Sequence, residues 1–147
     1  MTSTDQTPDR PLLVSGADSD LDSRLSDELD AHNFAASGVS DQREFTVKVQ
    51  GDDGELVAGL SGWTWGTCAG IGMVWVRPDS RKKGWGGLML QAAEELARDR
   101  GCRQVLVSSF TFQAPAFYER HGYVEIGRSE GIPVEGSADV HFVKALV

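Results

Sequence analysis

Cysteine is scarce. Cys68 and Cys102 are the only two in 147 residues, too few for a disulfide framework and without metal-ligand spacing, so both are read as reduced, small core residues of a cytoplasmic protein. Long apolar runs are also missing; none approaches the roughly 20 residues of a membrane span. The opening MTSTDQTPDR has neither the basic start nor the apolar block of a secretory signal, again an expectation of the cytoplasm. Positive charge is short: 14 Lys and Arg stand against 22 Asp and Glu, for a net charge of −8. A nucleic-acid binder needs a basic face to displace counterions, so nucleic acid is excluded as a general partner. Lysine in particular is rare (Lys48, Lys82, Lys83, Lys144); a high-salt host and a high-GC genome both favour such a composition.

The hydrophobic content of 40% and charged content of 24% are those of a globular protein. Residues 1–10, polar and without period, are expected to be a disordered tail, and 11–147 one domain. Leu12, Leu13 and Val14 suggest a short first strand. From Asp18 to Asn33, Leu21, Leu25 and Leu29 recur four apart behind an acidic first turn, which predicts an amphipathic helix ending before Gly38. Phe45, Val47 and Val49 alternate with polar residues; Asp52-Asp53-Gly54 turns the chain into Leu56–Leu60, and Gly66-Thr67 turns it again into Ile71–Val76, read as a buried strand. The middle of the chain is thus an antiparallel meander. The period then changes to 3.6, with Trp85, Leu88, Ala92 and Leu96 on one helical face and Gln91, Glu94, Glu95, Arg98 and Asp99 on the other, up to Gly101. A strand at Val105–Val107, a short helix from Pro115 to His121, and strands at Tyr123–Gly127 and Val140–Leu146 complete the chain.

Four basic residues (Arg77, Arg81, Lys82, Lys83) and a single acid (Asp79) lie between positions 77 and 83 of this acidic chain. Cations at a helix start oppose the helix dipole, so something negative belongs there. The same stretch reads Arg81-Lys82-Lys83-Gly84-Trp85-Gly86-Gly87, between a strand and a helix. Glycines let backbone approach a ligand, and the unpaired N–H groups of a first helical turn point at phosphate oxygens. Neither a Walker loop nor a GxGxxG fingerprint is present.

Arg81-x-x-Gly84-x-Gly86 after an apolar strand resembles the acetyl-CoA signature of the GNAT superfamily of N-acetyltransferases, and Phe117-Tyr118-Glu119-Arg120-His121-Gly122-Tyr123 resembles that family's FYxxxGY/F segment. The resemblance runs in element order from about residue 12 to 146, with its strongest letters between Met73 and Tyr123. It implies an α+β, three-layer fold: a mixed, mostly antiparallel central sheet of about six to seven strands, splayed between the fourth and fifth, with about four flanking helices. In that splay the strand at Met73–Val76 parts from the one at Val105–Ser109. Val74 and Val76 would pair with pantetheine there. Residues Lys82, Lys83, Gly84, Trp85, Gly86 and Gly87, with Arg81, would hold the pyrophosphate, and Arg77 or Lys82 the ribose 3′-phosphate. Gln113, where many members have asparagine, would hydrogen-bond the cofactor. Tyr118 would protonate the departing thiolate, and the Val74 N–H would face the thioester oxygen.

Many members carry a carboxylate on the strand before the glycine loop, whereas Ile71-Gly72-Met73 offers none; Glu44, His32 and His141 are left as candidate bases, unless the amine arrives deprotonated. Trp63, Trp65 and Trp75 alternate on neighbouring strands, either lining an acceptor pocket through cation–π contact or packing as core. The expected activity is transfer of acetyl from acetyl-CoA, without a metal, to a primary amine of a small molecule. The alternatives are peptide or protein amines, a non-catalytic acyl-CoA sensor, and an unrelated phosphate-binding domain. A two-fold homodimer through an edge strand or the tryptophans is a further expectation.

Overall fold

Residues 9–147 are described by the structure, a computed structural model, in two units divided after Gly38. In the first, α1 (Ser19–Ser37) begins at Asp18, whose carboxylate accepts the Leu21 N–H at 2.9 Å, and ends at Gly38, left-handed at φ 73°. This is the helix expected from Asp18 to Asn33, one turn longer. None of its residues is buried, and Leu21, Leu25 and Leu29 are about half exposed. Leu12, Leu13 and Val14 are exposed and form no strand. Three apolar residues without a ladder leave their backbone groups to water, which is why apolarity alone overstated them. Of the expected tail, residues 1–8 lie outside the described residues.

The second unit is a six-stranded sheet. Its strands are β1 (Arg43–Gln50), β2 (Leu56–Trp65), β3 (Cys68–Val76), β4 (Gln104–Phe110), β5 (Val124–Glu130) and β6 (Ala138–Ala145), in the spatial order β1-β2-β3-β4-β6-β5. β1, β2 and β3 form the expected meander, β3 and β4 are parallel, and β6 lies antiparallel between β4 and β5. Helices α2 (Trp85–Asp99) and α3 (Pro115–Arg120) and a single 3-10 turn at Pro78–Ser80 complete it. Among the described residues no helix is long and apolar enough to cross a membrane.

Phe142, Met89, Leu90, Val105 and Val140 are the largest fully buried side chains. On α2 the buried stripe is Met89, Leu90, Ala93, Glu94 and Ala97, while Leu88 is 57% exposed. Of the face expected from Trp85, Leu88, Ala92 and Leu96, Trp85 and Leu96 pack against the core while Leu88 and Ala92 are turned outward. Both stripes fit a 3.6 period. The alanines win because they let the helix lie close to the sheet, and Glu94 goes inside because Lys144 of β6 pairs with it. Arg100 fastens the helix end to the meander, donating to the Thr64 hydroxyl at 3.1 Å and lying over the Phe45 ring.

Two features of the sheet make the site. Ser61 pairs with Met73 and Gly62 with Ile71, so Gly72 is an extra residue and β3 bulges there. Pairing of β3 with β4 stops at Gly70 and Leu106. Beyond that point the two strands part: the expected splay lies between the third and fourth strands rather than the fourth and fifth, because Leu12, Leu13 and Val14 add no first strand, and the described residues form three α-helices where about four were expected. Of the stretch read as a buried strand, only Ile71 is buried and Met73 is 73% exposed, because past Gly70 the strand has no neighbour on its β4 side among the described residues.

Candidate active site

At the far end of β3 the backbone points into the splay. The Arg77 N–H donates to the Val57 carbonyl at 2.8 Å, and Ala58 and Leu60 stand opposite Val76 and Val74. In an antiparallel ladder residues alternate between facing their partner and facing away, so Val74 and Val76 direct their N–H and C=O groups away from β2. The Arg81 side chain agrees, since its Nε donates to the Val76 carbonyl at 2.9 Å. Arg81 thereby ties the glycine loop to the strand end.

The loop itself is preformed. Lys82, at φ 64°, is the only non-glycine with positive φ among the described residues, and Gly84 follows at φ 90°. Such backbone costs an ordinary residue about 1–2 kcal/mol and gathers at ligand clamps. Among the described residues no side chain caps α2, and its first internal hydrogen bond runs from the Leu88 N–H to the Gly84 carbonyl at 3.1 Å. The N–H groups of Trp85, Gly86 and Gly87 are therefore left at a positive helix end, where an anion completes them. Gly86 and Gly87 also have a packing role: a Cβ would meet the Phe117 ring at 3.1 Å and His121 Nε2 at 2.9 Å, respectively. They let α2 lie against α3. An open groove of about 650 Å³ runs from Gly84 past Leu88 and Gln91 to His121 and Lys144.

Of the basic residues, Arg77 is occupied, holding Asp79 at 2.6 Å and Glu55 at 3.5 Å. Hydrogen bonds from Arg77, then from Ser80, hold the Asp79 carboxyl below its usual range. Lys82 and Lys83 have no ion-pair partner among the described residues. Gln113 is exposed, and its Oε1 accepts the Phe110 N–H at 2.8 Å in the turn after β4.

Tyr118 is 6% exposed, edge-on to Phe117 and Tyr123 and tilted against Phe142. No hydrogen bond engages its hydroxyl among the described residues. Burial pushes its phenol above the usual tyrosine range. The helix that carries it is placed by Ser109, buried in β4, whose Oγ accepts the Ala114 N–H at 3.2 Å; sequence reasoning missed this serine, one small residue in an apolar strand. Tyr123, beneath Tyr118, is buried too, with Lys144 over its ring.

On the sheet face away from the core, Glu44 stands opposite Trp63, Trp63 opposite Gly70 and Gly70 opposite Leu106. Ser108 stands opposite His141 on the same face. Trp63, Gly70, Leu106, Ser108, Ile126 and His141 line an open cavity of about 400 Å³ at the splay. The structure therefore brings Trp63 and His141 together and sets Glu44 beside Trp63. Trp65 is committed elsewhere, its Nε1 donating to the Val39 carbonyl at 3.3 Å, and Trp75 is half exposed. His32 lies on α1, in the other unit. The thiols of Cys68 and Cys102 are both raised by burial, so neither is a ready thiolate nucleophile. Among the described residues no group of His, Cys, Asp or Glu is placed to hold a metal ion.

A free helix start preceded by a left-handed loop and a parted pair of parallel strands is what the two motifs imply together, and the profile of the acetyltransferase (GNAT) family matches residues 12–123. The chain belongs to that family. Acetyltransferase Atu2258 of Agrobacterium fabrum is 32% identical over 116 residues, covering 79% of this chain and 85% of that one. A blasticidin-S acetyltransferase of Streptomyces morookaense is 39% identical over 77 residues, 50% of this chain and 54% of that one. The crystal structure of an acetyltransferase from Bacillus cereus ATCC 14579 superposes with a TM-score of 0.79 at 27% identity, over 91% of this chain and 97% of that one. The protein is an acyltransferase whose acetyl donor is acetyl-CoA.

Proposed function

We propose that this acetyltransferase moves the acetyl group to a primary amine of a small molecule, by direct attack in a ternary complex, with one domain spanning 11–147. Bound acetyl-CoA supplies the activated thioester. Val74 and Val76 hold its pantetheine arm by main-chain hydrogen bonds, the N–H groups of Trp85, Gly86 and Gly87 take the pyrophosphate with Arg81, Lys82 and Lys83 around them, and Lys82 serves the 3′-phosphate because Arg77 is spent on Asp79 and Glu55. The Val74 N–H faces the carbonyl oxygen as it gains charge. Tyr118 gives its proton to the leaving sulfur. The observation that carries this reading is the Tyr118 phenol, its ring buried and its hydroxyl without a hydrogen-bond partner among the described residues: burial raises its pKa and keeps it protonated where a thiol, at about 8.5, is half ionised.

A small-molecule acceptor is supported by the blasticidin-S acetyltransferase among the relatives. The test is thiol release from acetyl-CoA with a panel of spermidine, kanamycin, blasticidin S and phenylethylamine. An amine-dependent release is expected; coenzyme A binding with no thiol released by any amine identifies a sensor instead. β1 is an open edge of the sheet, the place for a second copy in a two-fold dimer, which light scattering would report as twice the chain mass.

Gly84 allows a clean test of the loop. A Cβ there meets nothing within 4 Å, so Gly84→Ala clashes with nothing and lets the free loop relax out of its left-handed conformation, which binding must then restore at about 1–2 kcal/mol. Calorimetric titration should show coenzyme A affinity reduced about tenfold, the equivalent of about 1.4 kcal/mol, with the fold retained.

A further inference from the structure

We propose that His141 accepts the proton of the attacking amine, a role that rests on the amine-acetylating reading above. The reaction needs a base, and β3 provides none at Ile71-Gly72-Met73. Of the side chains lining the 400 Å³ cavity at the splay, that of His141 alone offers a ring-nitrogen lone pair able to take up a proton. The imidazole is half-buried and oriented across the β5–β6 hairpin, its Nε2 3.0 Å from the Ser129 hydroxyl. With Nε2–H donating to Ser129, the lone pair is on Nδ1, for which the described residues offer no partner. Trp63 also lines the cavity, an aromatic face suited to an incoming ammonium, which gives one proton to water to become the neutral amine that attacks.

The step balances. The amine nitrogen bonds to the acetyl carbon and the C–S bond breaks. The proton lost by nitrogen goes to His141 Nδ1, and the sulfur leaves with the proton of Tyr118. Water then returns a proton to the phenolate and takes one from the imidazolium, so no oxidant, reductant or metal is required. Ser129 is a positioning residue that holds the ring, and with its oxygen accepting from Nε2–H the basic nitrogen is Nδ1. The pair escapes sequence reading because the two residues are twelve apart and meet only through a hairpin whose register shifts between Glu125 and Gly127.

Two measurements test this on the full chain. With nitrogen-15 histidine the protein carries only three imidazoles to assign, and at alkaline pH His141 should display the Nε2–H tautomer, with Nδ1 as the pyridine-type nitrogen; an Nδ1–H tautomer overturns the proposal whether or not an acceptor is known. With the most active amine of the panel, His141→Gln should lower kcat a hundredfold or more while coenzyme A affinity, which also reports the fold, stays within twofold. His141→Ala should regain turnover when imidazole is added. Turnover of His141→Gln within threefold of the wild type, or a loss in His141→Ala that imidazole does not relieve, refutes the assignment. A wild-type protein that releases no thiol with any amine refutes the acetyl-transfer reading instead and leaves the tautomer result to decide the geometry.

Discussion

Tyr118→Phe should lower turnover by 10²–10⁴-fold, the range of general acid catalysis, with coenzyme A affinity unchanged. The substitution removes one oxygen and keeps the ring, which packs against Phe117, Tyr123 and Phe142. The fold therefore has little to lose, and since no group among the described residues bonds the hydroxyl, its removal strands none of them. A general acid works while protonated, so activity assigned to Tyr118 is present below its pKa and lost as pH rises through it. Burial moves that point upward, placing the alkaline limb of kcat above the usual tyrosine value of about 10. A limb well below that value, or full turnover in the phenylalanine variant measured by thiol release, removes Tyr118 from the chemistry.

Gly62→Ala should be among the most destabilising single substitutions in the protein. Its Cβ would be pressed against the Gly70 carbonyl oxygen and would lie 2.7 Å from the buried Phe45 ring. Backbone on one side and core on the other leave nothing flexible to yield. Overpacking of this kind costs about 1–3 kcal/mol and occasionally more; at roughly 2–4 °C per kcal/mol for a domain of this size, Tm should fall by about 10 °C in a thermal melt. Gly59→Ala on the same strand is the control: its nearest neighbour would be the Val47 carbonyl at 3.7 Å, ordinary contact, and Tm should move by no more than a few degrees. Gly62 lies beside the Gly72 bulge and opposite Ile71, so strain there also disturbs the strand that opens the splay.

Local signals carried far in this chain. The alternation of Phe45, Val47 and Val49, the turns at Gly54 and Gly66, and the shift to a helical period at Trp85 all follow from backbone geometry that neighbouring residues decide, and they placed the meander and α2 correctly. The glycine loop was legible for the same reason, as strand, basic residues and helix start are consecutive. What depended on distant partners was not legible. The turned face of α2 was settled by Lys144, fifty residues from Glu94, and the packing role of Gly86 and Gly87 by Phe117 and His121. Leu12 to Val14 had the apolarity of a strand and no ladder to join. Trp63, Trp65 and Trp75 read alike in sequence. The bulge at Gly72 and the length of each strand then sent Trp63 to the cavity, Trp65 to the Val39 carbonyl and Trp75 toward solvent. Gln113 was read toward the cofactor from its position alone, and the turn after β4 claimed its oxygen.

Whether the first turn of α2 grips the pyrophosphate of coenzyme A is tested most directly by amide nitrogen-15 spectra recorded while coenzyme A is added. The N–H resonances of Trp85, Gly86 and Gly87 should move downfield together and saturate with the same affinity as the Val74 and Val76 amides in the splay. Saturable binding that leaves those three amides unmoved, or no binding at all, would contradict the account.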